Sequence, residues 1–390
     1  MGGSIQSIIQ KYYPFEFVVD TTLSGSSGIG NYQLQLYPIY KYRYYVDWGD
    51  GVISASTTTT NLTHTYPSGG TYTVKIYGRF DGIYNNNSAE ATKLISINSW
   101  GNIKWRQFLN SFYGCSSLTG TPSSPPIFEK ISNVFLQSFR GCTNFNGDIG
   151  YLDTSKVTNT QSMFQSATNF NNGGSPSISG WTTSKVTDMN NMFQNSTNFN
   201  QPIGSWDVSK VTNMESLFFG ANNFNQNIGS WNVSGVTNMQ SMFFVGTNFN
   251  NGGSPSISGW TTSKVTNMST MFASSLFNQP IGSWDVSKVT TMNNMFQSST
   301  NFNQDIGSWN ISGVTSMSQM LDSSGIKNTN YNKILTGWTG WNGTGATKSV
   351  QSNVNFGAVG MQYSTGTTAE SARLYLITGK TWTITGDIGV

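Results

Sequence analysis

Between Val157 and Val314 one phrase recurs seven times, most cleanly as Ile203-Gly-Ser-Trp206-Asp-Val-Ser-Lys-Val211-Thr-Asn-Met214-Glu-Ser-Leu217-Phe218. The anchors Val157, Val186, Val211, Val236, Val265, Val289 and Val314 are 24 to 29 residues apart. A unit that short cannot bury its apolar side alone, so the copies must pack on one another, and the expected architecture is a stacked solenoid.

Aligned on the anchors, the copies form columns. Ile149, Ile178, Ile203, Ile228, Ile257, Ile281 and Ile306 stand eight residues before. Leu152 and then Trp181, Trp206, Trp231, Trp260, Trp284 and Trp309 stand five before. Met or Leu fills plus six, and Phe or Leu fills plus seven. Positions plus three, six and seven share one helical face, whereas the Ile-to-Val stretch reads as extended, so each copy is expected to be a strand followed by a short helical return. Thr stands at plus one in every copy, where a helix N-cap belongs, and Gln161, Glu215 and Gln240 would complete capping boxes.

Weaker copies lie upstream, where Gly114-Cys115-Ser-Ser-Leu118 and Gly141-Cys142-Thr-Asn-Phe145 bring the total to about nine. Cys115 and Cys142, the two cysteines of the chain, could be bonded across adjacent copies or be buried free thiols.

Charged residues are only 9% of the chain and the net charge is +3, which provides no footprint for nucleic acid. The Lys156, Lys185, Lys210, Lys264 and Lys288 column reads as a solvated edge, interrupted by Gly235 and Gly313. No apolar run is long enough to insert in a membrane, and the first residues lack a secretory pattern, so a leader has been removed or export is not needed. Retention of Met1 leans toward the second.

Residues 14 to 78 alternate apolar and polar in short runs, the pattern of a small β-sandwich. There, Val46-Asp47-Trp48-Gly49-Asp50-Gly51 and His64-Thr65-Tyr66-Pro67 resemble the signature of polycystic-kidney-disease-type immunoglobulin-like domains. His64, the sole histidine, is expected to brace a strand edge with Tyr66, and Asp47 and Asp50 to serve a turn rather than hold Ca²⁺. The repeats resemble the Met- and Phe-rich variant of bacterial surface protein A (BspA) type leucine-rich repeats, and the series from Tyr331 to Trp382 resembles the closing module of such chains. The expected organisation is an N-terminal anchoring segment over 1–13, an immunoglobulin-like β-sandwich over 14–80, a connector over 81–98, an α/β leucine-rich-repeat solenoid over 99–330 and a C-terminal cap over 331–390.

That resemblance implies surface-exposed and virion-associated adhesion modules that bind proteins or glycans, with no catalytic residues. The columns hold no repeated carboxylate pair, no Ser-His-Asp set and no cluster of metal-ligand residues, so catalytic residues, metal and cofactors are all expected to be none. Asp207 and Asp285, which follow Trp, suit hydrogen bonding better than acid catalysis.

Two features stand out as candidate binding sites. A perfect 20-residue duplication, 168–187 and 247–266, carries a four-residue lengthening. Its loops Asn172-Gly173-Gly174-Ser175-Pro176 and Asn251-Gly252-Gly253-Ser254-Pro255 are expected to protrude three copies apart, roughly 14 Å, suited to bivalent contact or left by recent duplication. Phe219, Phe244 and Val245 replace Gln165, Gln194 and Gln297 at plus eight and nine, as an exposed apolar patch or as packing beneath a neighbouring loop. The expected function is non-catalytic attachment from a virion fibre, a spike or a cell surface to a host-surface protein or glycan. The alternative is a purely structural virion subunit, with neighbouring subunits as partners and a homo-oligomer allowed.

Overall fold

In the computed structural model of the chain, residues 13–40, 42–129 and 135–390 are described; the expected anchoring segment lies outside them except for Tyr13. The chain divides into two compact units, one of residues up to 186 with 195–201, the other of 187–194 with 202–390.

The first unit opens with short strands whose alternation matches the apolar pattern. Strands β1 (Phe15–Asp20), β3 (Arg43–Asp47), β4 (Ile53–Ser56), β6 (Thr71–Arg79) and β7 (Leu94–Ser99) form one antiparallel sheet in the order β4-β3-β6-β1-β7, β2 (Asn31–Leu34) pairs with β5 (Leu62–Thr65) as a separate ribbon, and β8 (Lys104–Trp105) lies parallel to β9 (Ile127–Phe128). Phe15, Phe17, Val19, Tyr44, Val46, Val74 and Ile76 point into the core. The turn after β3 needs glycine at position 49: φ is 82° and a Cβ would stand 2.5 Å from the Thr73 carbonyl oxygen. Behind β2, Glu90 and Lys93 form a fully buried ion pair at 3.2 Å, with the ammonium donating to the Gly28 and Asn31 carbonyls and the carboxylate accepting from Ser27 and Gln33 amides. Full pairing is what makes two buried charges tolerable.

The expected α/β leucine-rich-repeat solenoid with its C-terminal cap, preceded by an immunoglobulin-like sandwich, is not what the chain builds. Among the described residues the strands lie in small sheets, one of five strands and four of two. The described residues 135–327 contain neither an α-helix nor an extended strand, only turns, short 3₁₀ segments and single-residue parallel bridges between copies, such as Asn213 to Asn238 and Asn238 to Asn267. The physical reason is visible in the backbone. Ser162, Asn191, Ser216, Ser241, Thr270, Asn294 and Gln319, all at plus five, have φ between 53° and 58°. Position plus nine is left-handed too, from Ser166 to Ser323. A left-handed residue every four positions forbids a helix.

Instead, two sets of hydrogen bonds alternate. Even positions close local turns: Leu217 N–H donates to Met214 and Phe219 N–H to Ser216. Odd positions reach the next copy: in the second unit Met214, Ser216, Phe218 and Gly220 donate to the carbonyls of Asn238, Gln240, Met242 and Phe244 at 2.9–3.0 Å. In the first unit Phe112 and Gly114 reach Ser138 and Arg140 likewise. The Ile-to-Val stretch is not a strand either, because Trp206 N–H bonds Ile203 and Val211 N–H bonds Val208.

The capping boxes fail for the same reason. Thr237 and Thr266 donate both N–H and hydroxyl to the preceding copy's Thr carbonyl, while Glu215 and Gln240 accept from the next copy's Asn238 and Asn267 amides. The apolar columns nonetheless meet. In the second unit Phe193, Phe218, Phe243, Phe272 and Phe296 lie near-parallel with successive centroids 5.6–5.8 Å apart.

At the end of the second unit, helix α1 (Asn328–Thr339) stops at the left-handed Gly340, and Met317 pairs with Phe356 of β10 (Asn355–Gly357). Strand β10 lies parallel to β12 (Thr383–Thr385), and β11 (Gln362–Tyr363) to β13 (Ile388–Gly389). Helix α2 (Thr368–Leu374) is held to this segment by Arg373, which grips Asp387 through two 2.7 Å bonds while Tyr331 donates its hydroxyl to the same carboxylate.

Candidate functional site

The two duplicated loops sit one in each unit, so each is a site by itself. Asn172 and Asn251, expected at protruding tips, are fully buried. Each is a plug: the Asn172 side-chain oxygen accepts from the Ile149 amide at 2.9 Å and its Nδ2 donates to the Ser175 carbonyl, and Asn251 does the same with Ile228 and Ser254. Gly173 and Gly252 are left-handed, with φ of 62° and 61°, and donate their amides to Asn146 and Asn225 side chains. Gly173, Gly174 and Pro176 are exposed and Ser175 half-buried; Gly252, Gly253, Pro255 and Ser254 repeat that arrangement. The lengthening also explains two glycines outside it, since a Cβ on Gly150 or Gly229 would overlap the Ser177 or Ser256 side chain.

The copies differ in one chemical respect. Ser177 donates to Asp148 at 2.6 Å, whereas Ser256 donates to Asn227 at 2.9 Å. Partial burial opposes ionisation of Asp148, but the Ser177 hydroxyl and the Gly150 amide outweigh it and hold the carboxyl below the usual carboxylate range.

In the second unit Phe219 and Phe244 are half-buried and meet edge to face at 5.0 Å. Where plus eight is Gln297, plus five is Asn294, and the two amides bond at 2.7 Å. With Phe at plus eight, plus five is Ser216 or Ser241, too short to engage it. Val245 is half-buried with φ of 55°, a conformation costly to a β-branched residue. At plus eight, the column of Phe219 and Phe244, the following copy places Ala273, 1% exposed.

Trp181, in the first unit, and Trp206, Trp231, Trp260, Trp284 and Trp309, in the second, are all buried, 1–6% exposed. Trp181, Trp231, Trp260, Trp284 and Trp309 donate their indole N–H to an Ile carbonyl of an earlier copy at 3.0–3.3 Å. Asp207 and Asp285 each accept from the amide two residues on, Ser209 and Ser287, and those serine hydroxyls and amides lower both carboxyls. His64 stacks on Trp48 and bonds Asp50 at 2.8 Å, while Tyr66 donates to the Trp48 carbonyl. Cys115 and Cys142 are buried free thiols with no disulfide between them, and burial pushes both thiols up. The five lysines of the basic column are exposed.

Among the described residues no group of three or more His, Cys, Asp or Glu is placed to hold a metal, and no helix is long and apolar enough to cross a membrane. Sequence reasoning missed the buried Glu90–Lys93 pair, for which an i, i+3 spacing of opposite charges was the only signal.

No curated protein matches the chain. One family model matches three times in tandem, over residues 106–176, 173–255 and 253–357, more than half of the chain, while residues 14–80 lie outside the match. By this match the chain belongs to the repeat family described as Mycoplasma protein of unknown function, DUF285.

Proposed function

We propose that the chain is a recognition module that attaches a cell surface or a virion to a protein or glycan outside it. The observation that carries this reading is the Phe219–Phe244 pair. Nearly all other aromatic columns of the repeats are buried, whereas these two rings stay half-exposed beside the strained Val245, at positions where other copies carry Gln. Apolar mass kept at a surface at a backbone cost is a reason to look for a partner there. The resemblance to BspA-type repeats, whose bearers include surface adhesion proteins, supports the same reading.

The test is binding of fluorescently labelled full chain to intact candidate host cells, against the double variant Phe219→Gln, Phe244→Gln. Glutamine is what the two preceding copies carry, as Gln165 and Gln194, so the variant should fold. Aromatic anchors of this kind are each worth upward of about 1 kcal/mol, and we expect at least a tenfold loss of cell binding with little change in melting temperature. Undiminished binding would refute the assignment. If sedimentation shows the wild-type chain self-associating and the variant monomeric, the patch joins copies of the chain, and a structural-subunit role replaces attachment.

A further inference from the structure

We infer that the first unit carries a binding groove for a neutral mono- or disaccharide, at a place distinct from the Phe219–Phe244 pair of the second unit. The groove, about 460 Å³, lies among the segment after β2, the loop before β5 and the residues Tyr84 to Ser88. That volume is in the range of small-ligand pockets.

Its walls are of two kinds. One side offers Pro38 and the half-buried ring of Tyr84. Tyr84 is backed by Tyr37 at 4.6 Å, and Tyr37 is anchored by its hydroxyl to Leu109 and Ser111, which makes the aromatic wall rigid. The other side offers carboxamides held in fixed orientation. Asn61 accepts from the Leu36 amide at 2.9 Å and donates to Gln35 at 2.8 Å, and Gln35 donates in turn to Gln33. Asn86 accepts from Asn110 at 2.8 Å, which leaves its own Nδ2 hydrogens to donate. Asn86 and Asn87 are both left-handed, with φ of 44° and 58°, a conformation asparagine tolerates better than most, and this shapes the rim. Ser88 lines the groove with a hydroxyl oxygen that is buried and has no hydrogen-bond partner among the described residues. A buried orphan hydroxyl calls for a partner.

The lining selects its ligand by exclusion. No residue that lines the groove is charged, so a phosphate, a uronate or an ammonium would lose hydration without compensation. A purely apolar ligand would strand the amides and the Ser88 hydroxyl. A sugar satisfies both walls: the C–H face of the ring stacks on Tyr84 while its hydroxyls, each donor and acceptor, meet the amides and Ser88.

Saturation-transfer NMR on the full chain tests this, using the methyl glycosides of glucose, galactose, mannose and N-acetylglucosamine, with glucuronate and glucose 6-phosphate as charged counterparts. At least one neutral glycoside should receive saturation, with a dissociation constant on the order of a millimolar. The charged sugars should bind at least tenfold more weakly. Tyr84→Ala should weaken binding at least tenfold and Ser88→Ala several-fold. Thr59→Lys, at an exposed rim position, supplies an independent block should Tyr84→Ala not fold. Absence of saturation for all four glycosides, equal binding of a charged sugar, or wild-type binding by folded Tyr84→Ala or Thr59→Lys would each overturn the proposal.

Discussion

At the scale of single residues, one atom separates the two duplicated loops, because Ser177 meets a carboxylate and Ser256 an amide. The Asp148 carboxyl is held low, so its contribution to stability is present above its unfolded value near 4 and is lost as pH falls through the lower folded value. Asp148 is solvent-exposed, so the contribution is under about 1 kcal/mol. Thermal melts should therefore show wild type slightly more stable than Asp148→Asn at pH 7, with the gap narrowing as pH falls below about 4; an equal gap at neutral and acid pH would show that ionisation plays no part. Val245 supplies a second expectation. Asparagine tolerates its left-handed backbone better than valine, and Val245→Asn should raise stability by about 1 kcal/mol in urea unfolding. Which residues would be buried was legible from the columns. That Asn172 and Asn251 would be plugs was not, since an Asn-Gly pair ordinarily reads as a turn tip, and the partners that bury them, Ile149 and Ile228, are 23 residues away.

Elements here are turns, and their stability comes from neighbours. Phe218, Phe243 and Phe272 of the second-unit column each touch rings before and after; Phe243, for example, lies 5.7 Å from Phe218, 3.7 Å from Phe249 and 5.6 Å from Phe272. Phe243→Ala should cost about 3–5 kcal/mol, read from the denaturation midpoint, whereas Phe243→Leu should cost markedly less. Near the C-terminus the Arg373 grip on Asp387 is the corresponding clip, with the Asp387 side chain only 1% exposed. Asp387→Ala leaves the guanidinium and the Tyr331 hydroxyl without their acceptor and should destabilise the chain by about 3 kcal/mol. A loss under about 0.5 kcal/mol in the same assay would show that the clip holds nothing. Helix was expected because Met214, Leu217 and Phe218 have helical spacing. A turn ladder buries positions plus three, six and seven as well, and the residues that break the helix, such as Ser216 and Ser241, carry no local mark of left-handedness. Backbone acceptors in the next copy impose it.

For the whole molecule, the period was readable and the means of cohesion was not. Repetition required that copies pack together; it did not say whether helices, strands or turns would do so. The strands of the first unit were legible as alternation in β1 and β6, yet pairing β2 only with β5 depends on contacts 28 to 34 residues apart that alternation does not encode. The central claim is that copies without strand or helix hold one another by backbone hydrogen bonds from every second residue. Amide hydrogen exchange of the full chain, resolved by NMR, tests it most directly. The amides of Met214, Ser216, Phe218 and Gly220 should be protected as strongly as those of β6, although they lie in turns. Exchange of these four at the rate of open loop would contradict it.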